Sequence, residues 1–336
     1  MLALSSRAGI ERVVPPGTDA ATEVVATSAS EVDRGGAVSR RYYEIGGLTV
    51  QVESDLPITD DTFHAKFRTF QVDGPGADTI VVRHHFGSGR PDAGELGRVL
   101  YEDRPWTIYG SPGGFTYVMS TGQSEAESIV VASTDHSSID VFNGAESEEL
   151  YRAGGVTALT LMTTDQIVLA RAFAERRACF LHSCGVVVDG RGLLFVGHSG
   201  AGKSTMMSLL ASEGEALCDD RNIVRVWDDG VRVHGCWSHG EVPVVSSASA
   251  PLGAVLFLSQ ADANRLVPLK GGRAVLGNLL PCVIKPLVTA DWWERTLDVI
   301  ERVVDDVPCY VAEFDRSGAI VPLLRGLTAA GPAGRA

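Results

Sequence analysis

The stretch Gly197-His198-Ser199-Gly200-Ala201-Gly202-Lys203-Ser204 has the spacing G-x-x-x-x-G-K-[ST] of a phosphate-binding loop. Such a loop functions only between a strand and a helix. Its glycines turn successive backbone N–H groups inward around a polyphosphate, and the following helix directs its positive end at the same anion. The flanking residues meet that demand. Leu193-Leu194-Phe195-Val196 is a short apolar run that predicts a buried strand, and Thr205 to Ala211 predicts a helix that stops at Gly214. Lys203 then reaches the β- and γ-phosphates and Ser204 sits on Mg²⁺, with Thr205 following in the cofactor-binding run. Lysine is scarce: only Lys66, Lys203, Lys270 and Lys285 occur, so 25 of the 29 basic residues are arginine. A lysine at this position is therefore hard to ascribe to composition. The cofactors implied are ATP and Mg²⁺.

At 336 residues the chain is long enough for two cores, and 45% hydrophobic with 21% charged residues is an ordinary globular balance. A formal net charge of −13 argues against a nucleic-acid partner and against an anionic membrane surface, because no basic stripe is available to neutralise phosphates. The six cysteines form no C-x-x-C pair and no zinc spacing, and several lie in apolar runs. Met1-Leu2-Ala3-Leu4 meets Arg7, Glu11 and Arg12 at once, so no signal-peptide core is expected, and no apolar stretch has membrane-span length. Reduced thiols beside a nucleotide site point to the cytoplasm. A homo-oligomer is compatible with all of this.

Three parts are expected. Residues 1–38, with Pro15-Pro16 and no sustained period, predict a poorly ordered tail with a short strand near Val24-Val25. Residues 39–155 predict a small antiparallel β-rich domain. Its strands are Tyr42 to Ile45, Leu48 to Val52, Phe67 to Val72, Thr79 to Val82, Phe115 to Met119 and Ser128 to Ala132, with turns at Gly46-Gly47 and Pro112-Gly113-Gly114. His84-His85 cannot easily share one metal ion, since neighbours on a strand face opposite ways; they read as polar residues at a strand end. Residues 156–330 predict an α/β (α+β) unit that carries the loop. It opens with a helix from about Leu159 to Arg176, followed by Cys179 to Val188, which returns through Asp189-Gly190-Arg191-Gly192 into the loop strand. A hairpin at this point is unusual for a simple doubly wound nucleotide-binding fold.

One helix after the loop, Glu215-Ala216-Leu217-Cys218 predicts a short strand ending in Asp219-Asp220. Phosphoryl transfer uses two acids beside the γ-phosphate, one holding Mg²⁺ and one orienting or accepting the proton of the attacking hydroxyl. Either aspartate fits either role, and a solvated Asp-Asp-Arg-Asn turn is the plain alternative. Glu241, after Cys236-Trp237-Ser238-His239-Gly240, is a further candidate for the metal shell.

Leu181-His182 before the hairpin, the loop Gly197 to Ser204 and the pair Asp219-Asp220 together resemble the catalytic domain of HPr kinase/phosphorylase, whose fold is shared with phosphoenolpyruvate carboxykinase. The resemblance covers roughly residues 160 to 320. It implies that Lys203 binds ATP, that Ser204 with an acid such as Asp220 or Glu241 binds Mg²⁺, and that Asp219 or Asp220 is the base. It also sets His182 near the active site. The chain departs from that family at Thr205, where Glu is usual, and at Val242-Pro243-Val244-Val245, where Arg-Gly-Leu-Gly is usual. The front part, the Trp237 to Glu241 segment and the runs Pro251 to Leu258 and Val307 to Tyr310 are more similar to HPr kinase-like proteins encoded beside peptide-modification genes. The expected function is an ATP-dependent kinase acting on a Ser or Thr hydroxyl of a peptide or protein. The alternatives are a small-molecule kinase on the same fold and a non-catalytic nucleotide-dependent binding module. An ABC-type ATPase is disfavoured, since no Leu-Ser-Gly-Gly-Gln follows.

Overall fold

The computed structural model of the chain describes residues 39–87, 89, 91, 96–120 and 128–329. The expected tail over 1–38, with its strand near Val24-Val25, lies outside the described residues. A nine-stranded sheet comes first: β1 Ser39–Ile45, β2 Leu48–Ser54, β3 Gln71–Val72, β4 Thr79–Phe86, β5 Arg98–Asp103, β6 Trp106–Ser111, β7 Gly114–Met119, β8 Ser128–Ala132 and β9 Ser138–Asn143. Their order is β3-β1-β2-β4-β9-β8-β7-β6-β5. The turn at Gly46-Gly47 forms as expected, both residues having positive φ, and Gly114 at φ 141° closes the β6–β7 hairpin.

Two expectations are corrected here. The sheet is mixed, since β2–β4 and β4–β9 run parallel. The expected strand Phe67 to Val72 is instead a 3-10 turn, Ala65–Phe70, followed by the two-residue β3. The reason is local: His64 Nδ1 accepts the Lys66 N–H at 3.2 Å, and Phe67 and Phe70, three apart, eclipse on a three-residue turn and enter the core together.

The second half contains α1 Ala145–Ala153, α2 Gln166–Ala174, β10 Ala178–Val188, β11 Arg191–Val196, α3 Lys203–Leu209, β12 Glu215–Cys218, β13 Arg221–Trp227, β14 Gly230–His234, β15 Ser249–Gln260, β16 Arg265–Pro268, α4 Gly272–Leu279, α5 Ala290–Asp306, β17 Cys309–Phe314 and α6 Val321–Ala329. None of the described helices is long and apolar enough to cross a membrane. The eight strands turn a corner on two long members. Ala178 to His182 of β10 pair with β13, whereas Ser183 to Val188 pair with β11. Likewise β15 leaves β14 after Pro251 and runs parallel to β11 and β17. The helix expected from Leu159 is shorter, because the buried Asp165 side chain accepts the Thr160 N–H at 2.8 Å and its hydroxyl at 2.9 Å. That holds residues 159–165 in turns, with Leu161 at φ 53°.

All nine residues of α2 are buried, as suits a helix apolar nearly all round. Its Phe173 packs on the second half through Phe180 and on the first sheet through the Gly46 turn, where a Cβ would lie 3.0 Å from the ring. Burying such a ring stabilises by about 1.5–3 kcal/mol. Around it one apolar core runs continuously from β1 and β2 to α5. Polar ties follow the same seam: Asp78 accepts Arg176 at 2.7 Å and Arg225 at 3.0 Å, and Arg225 donates to the Gly46 carbonyl at 2.9 Å. A smaller core lies under α3 and α6, where Met206 and Leu324 meet Phe195, Leu256 and Phe314.

His84 and His85 face opposite ways as expected, but His84 is buried, its Nε2 2.7 Å from the Leu159 carbonyl, while His85 Nε2 meets Asp140 at 2.8 Å. Burial pushes His84 down to about 4, His136 to about 3 and His234 to about 4, from 6.5 when exposed. Between pH 6.5 and 4 the unfolded chain therefore takes up protons that the folded chain refuses. The stability these histidines contribute is fully present above pH 6.5 and is lost as the pH falls. Thermal unfolding followed against pH should show Tm falling across that interval; a flat Tm would contradict neutral burial of the three rings.

Candidate active site

The loop strand is set by its hairpin. Asp189 and Gly190, at φ 48° and 75°, form a two-residue turn whose twist matches the flanking strands. It delivers β11, buried from Gly192 to Val196, between β10 and β15. The chain then leaves the sheet at the carboxyl ends of parallel strands, where crevices form in sheets of this kind. The expected strand, loop and helix are all present, with α3 beginning at Lys203.

The loop needs its glycines. Gly202 has φ 105°, and a Cβ there would lie 2.6 Å from the Phe314 ring; one on Gly197 would lie 2.7 Å from Ala201 Cβ. Gly200 has φ 82° and faces open space. Gln260, at the end of β15, fixes the loop by donating to the Gly200 carbonyl at 2.9 Å. His198 and Ser199 are exposed, and His198 Nδ1 lies 2.6 Å from the Ser199 carbonyl. Beside the loop a cavity of about 410 Å³ is bounded by Gly202, Thr205, Gln260, Asp262, Phe314 and Arg316.

Lys203 Nζ donates to the Gly197 carbonyl at 2.9 Å and the His198 carbonyl at 3.3 Å, and lies 2.9 Å from His182 Nε2. His182 Nδ1 is in turn 3.0 Å from Asp220 Oδ1. An ammonium has donors only, so Nε2 accepts and the remaining ring proton on Nδ1 is directed at the carboxylate. Lysine, histidine and aspartate from the loop, β10 and the turn after β12 thus form one chain of polar contacts. All three are candidates in the sequence, and the fold brings them into contact.

The two aspartates are placed very differently. Asp219 is 5% exposed, its Oδ1 accepting the Gly240 N–H and its Oδ2 the Val242 N–H, each at 2.7 Å. It clamps the segment that carries Glu241. Asp220 is partly exposed and faces His182 and Arg221, whose Nε lies 3.2 Å from Oδ2. Glu241 is exposed in the clamped segment, and Ser204 stands in the first turn of α3. Among the described residues no three His, Cys, Asp or Glu side chains converge as a ready metal cage. Mg²⁺ needs none: it is usually held by one or two carboxylates with substrate phosphates. Cysteine chemistry has little support at the site, since burial pushes the Cys218 thiol up to about 11 and that of Cys184 higher still.

Three supporting residues carried no signal of their own. Asn222, read as part of a turn, is wholly buried, its amide donating to the Ser183 carbonyl (2.9 Å), the Ser183 hydroxyl (3.1 Å) and the Cys218 carbonyl (3.2 Å). Gln260 and Phe314 lie far from the loop in sequence and meet it only through the parallel pairing of β11, β15 and β17.

Residues 155–279 match the family described as SynChlorMet cassette protein ScmC, well under half of the chain. No curated protein matches it. Among solved structures, the Hpr(Ser) kinase/phosphatase from Coxiella burnetii is similar at 11% identity and a TM-score of 0.29, over 45% of this chain and 88% of that one. That likeness is too slight to carry the fold.

Asp219→Asn should lower Tm by several degrees, because the amide of this buried residue turns one acceptor into a donor facing a backbone N–H, a cost of about 1–3 kcal/mol. Asp220→Asn should leave Tm close to wild type, since Asp220, His182 and Arg221 are all partly exposed. Equal shifts in thermal unfolding for the two variants would contradict the division drawn between them.

Proposed function

We propose that the chain is an ATP- and Mg²⁺-dependent kinase that phosphorylates a Ser or Thr hydroxyl of a peptide or protein in the cytoplasm. The observation that carries the reading is the contact chain from Lys203 through His182 to Asp220, which sets a phosphate-loop lysine and a partly exposed carboxylate on either side of one imidazole. The loop also suits a phosphate ligand, since Gly200 leaves open the volume a Cβ would fill and two of the three groups that hold Lys203 are loop carbonyls that a polyphosphate can replace. In this reading the backbone of Gly197 to Ser204 cradles the phosphates, Thr205 borders the nucleoside cavity, and Lys203 turns from the loop carbonyls to the β- and γ-phosphates. Ser204 and Glu241 are the residues that would hold Mg²⁺, which would neutralise charge on the phosphates.

Asp220 accepts the proton of the acceptor hydroxyl as its oxygen bonds to the γ-phosphorus and the bond to the β–γ bridging oxygen breaks, releasing ADP. His182 keeps the carboxylate oriented through its Nδ1 proton. Residues 156–330 would form the phosphoenolpyruvate carboxykinase-like unit resembling HPr kinase, and residues 39–155 the part that faces the acceptor. The description of the matched family as a cassette protein is consistent with a peptide-modification cluster.

The test is nucleotide binding and transfer by the full chain with ATP and Mg²⁺, read by calorimetry and by mass spectrometry of peptides encoded beside it. Lys203→Ala should weaken nucleotide binding by about tenfold or more, since a phosphate charge loses its partner. Asp220→Asn should keep nucleotide affinity and lose transfer by roughly 10²–10⁴-fold. Wild-type transfer by Lys203→Ala would overturn the reading.

A further inference from the structure

A second cavity, of about 250 Å³, opens beside the acid turn. Lys66 of the 3-10 turn borders it from the front half; Thr157, Thr163 and Thr164 border it from the segment before α2, and Arg221 and Ser238 from the second half. Its two cations keep donors that no group among the described residues takes up. Lys66 Nζ lies 5.0 Å from the centroid of the Phe67 ring and forms no ion pair among the described residues, although burial lowers its pKa. Among the described residues the Arg221 side chain has one ionic contact, Nε to Asp220. The one carboxylate at the cavity, Asp165, is wholly buried and committed: one oxygen accepts from Thr160 and the other from the Trp237 indole at 3.0 Å. Asp165 and Asp220 offset part of this charge, but Lys66 Nζ and the outer nitrogens of Arg221 donate to no group among the described residues, and they share one space with a set of hydroxyls.

The walls are well fixed. Trp237 is 1% exposed and packs edge-on against Phe67 and Phe70, with ring centroids at 5.2 and 5.3 Å. The turn that presents Lys66 is therefore packed against the residue preceding Ser238, and the front half is joined to the segment that Asp219 clamps.

Resting on the kinase reading, we propose that this cavity binds a carboxylate of the acceptor, close in sequence to the hydroxyl that is phosphorylated. A guanidinium offers paired, coplanar donors to the two oxygens of a carboxylate, and the ammonium and hydroxyls supply further donors. Arg221 contacts Asp220 directly, so a group held on its outer nitrogens lies within a residue or two of a hydroxyl at Asp220, at about 3.3–3.6 Å of extended chain per residue. The carboxylate is supplied either by an acidic side chain or by the C-terminus of the acceptor.

The test uses the full chain with Mg²⁺ and a non-hydrolysable ATP analogue, and three synthetic peptides of equal length with one serine. One ends in a free acid just after the serine, one is C-amidated with Glu beside the serine, and one is C-amidated and neutral. Calorimetry should show at least one carboxylate peptide binding about tenfold or more tighter than the neutral one, and which one binds identifies the source. Lys66→Met, which keeps the stem against Phe67, should abolish that preference while leaving nucleotide affinity unchanged. Lys66→Glu should transfer the preference to a peptide with Lys in place of Glu, a reversal that a merely structural role would not produce. Equal binding of the three peptides to the wild type, or a preference that survives Lys66→Met, overturns the proposal. Nucleotide affinity is measured in the same samples: if the wild type binds no nucleotide, the kinase reading itself fails, which separates the two.

Discussion

The site depends on a single buried amide. Asn222 stands at the corner where β10 passes from pairing with β13 to pairing with β11, and its Nδ2 joins the Ser183 carbonyl and hydroxyl to the Cys218 carbonyl. Three placements follow from that bond set. Ser183 is fixed next to His182, Cys218 is fixed at the end of β12, and the turn Asp219-Asp220 between them is held short, with the Ser183 N–H donating to the Asp220 carbonyl at 2.9 Å. Leaving such groups unpaired in the interior costs about 1–3 kcal/mol each, so the turn has little freedom. A Cβ on Gly185 would lie 2.7 Å from Asn222 Oδ1, which is why the opposing strand carries glycine there.

From this corner the two carboxylates diverge. Asp219 turns inward and fixes the segment Gly240 to Val242; Asp220 turns outward to His182 and Arg221. Adjacent acids can take different tasks because neighbouring side chains leave the backbone in opposite directions. Three residues before that segment stands Trp237, whose indole reaches Asp165 and whose ring meets Phe67 and Phe70. The mixed sheet of the front half is thereby connected to the acid turn through one aromatic side chain, besides the seam around α2.

What the sequence disclosed follows the range of the forces involved. The loop, its strand and helix, the hairpin at Asp189-Gly190 and the acid pair are local patterns, and each was legible from spacing alone. Errors arose where distant residues decide. Phe67 to Val72 has strand composition, but the His64 cap and the shared burial of Phe67 and Phe70 make a 3-10 turn of it. The parallel pairing of β2, β4 and β9 depends on a register that no local run encodes. Apolar residues from Leu159 onward suggested helix, yet the Asp165 side chain captures the backbone of Thr160 first. Within the site Lys203, His182 and Asp220 were each identified, but their contact was not, because it is created by the β10 corner. Lys66, Gln260 and Asn222 have ordinary sequence surroundings and gain meaning only from their neighbours in space.

The proposed function requires that Lys203 exchange its loop carbonyls for nucleotide phosphates while the His182–Asp220 pair stays in place. A crystal structure of the full chain with Mg²⁺ and a non-hydrolysable ATP analogue tests this most directly. Lys203 Nζ should then lie within about 3 Å of phosphate oxygens, released from the Gly197 and His198 carbonyls, with His182 still hydrogen-bonded to Asp220. An analogue seated away from the loop, with Lys203 still on those carbonyls, would contradict it.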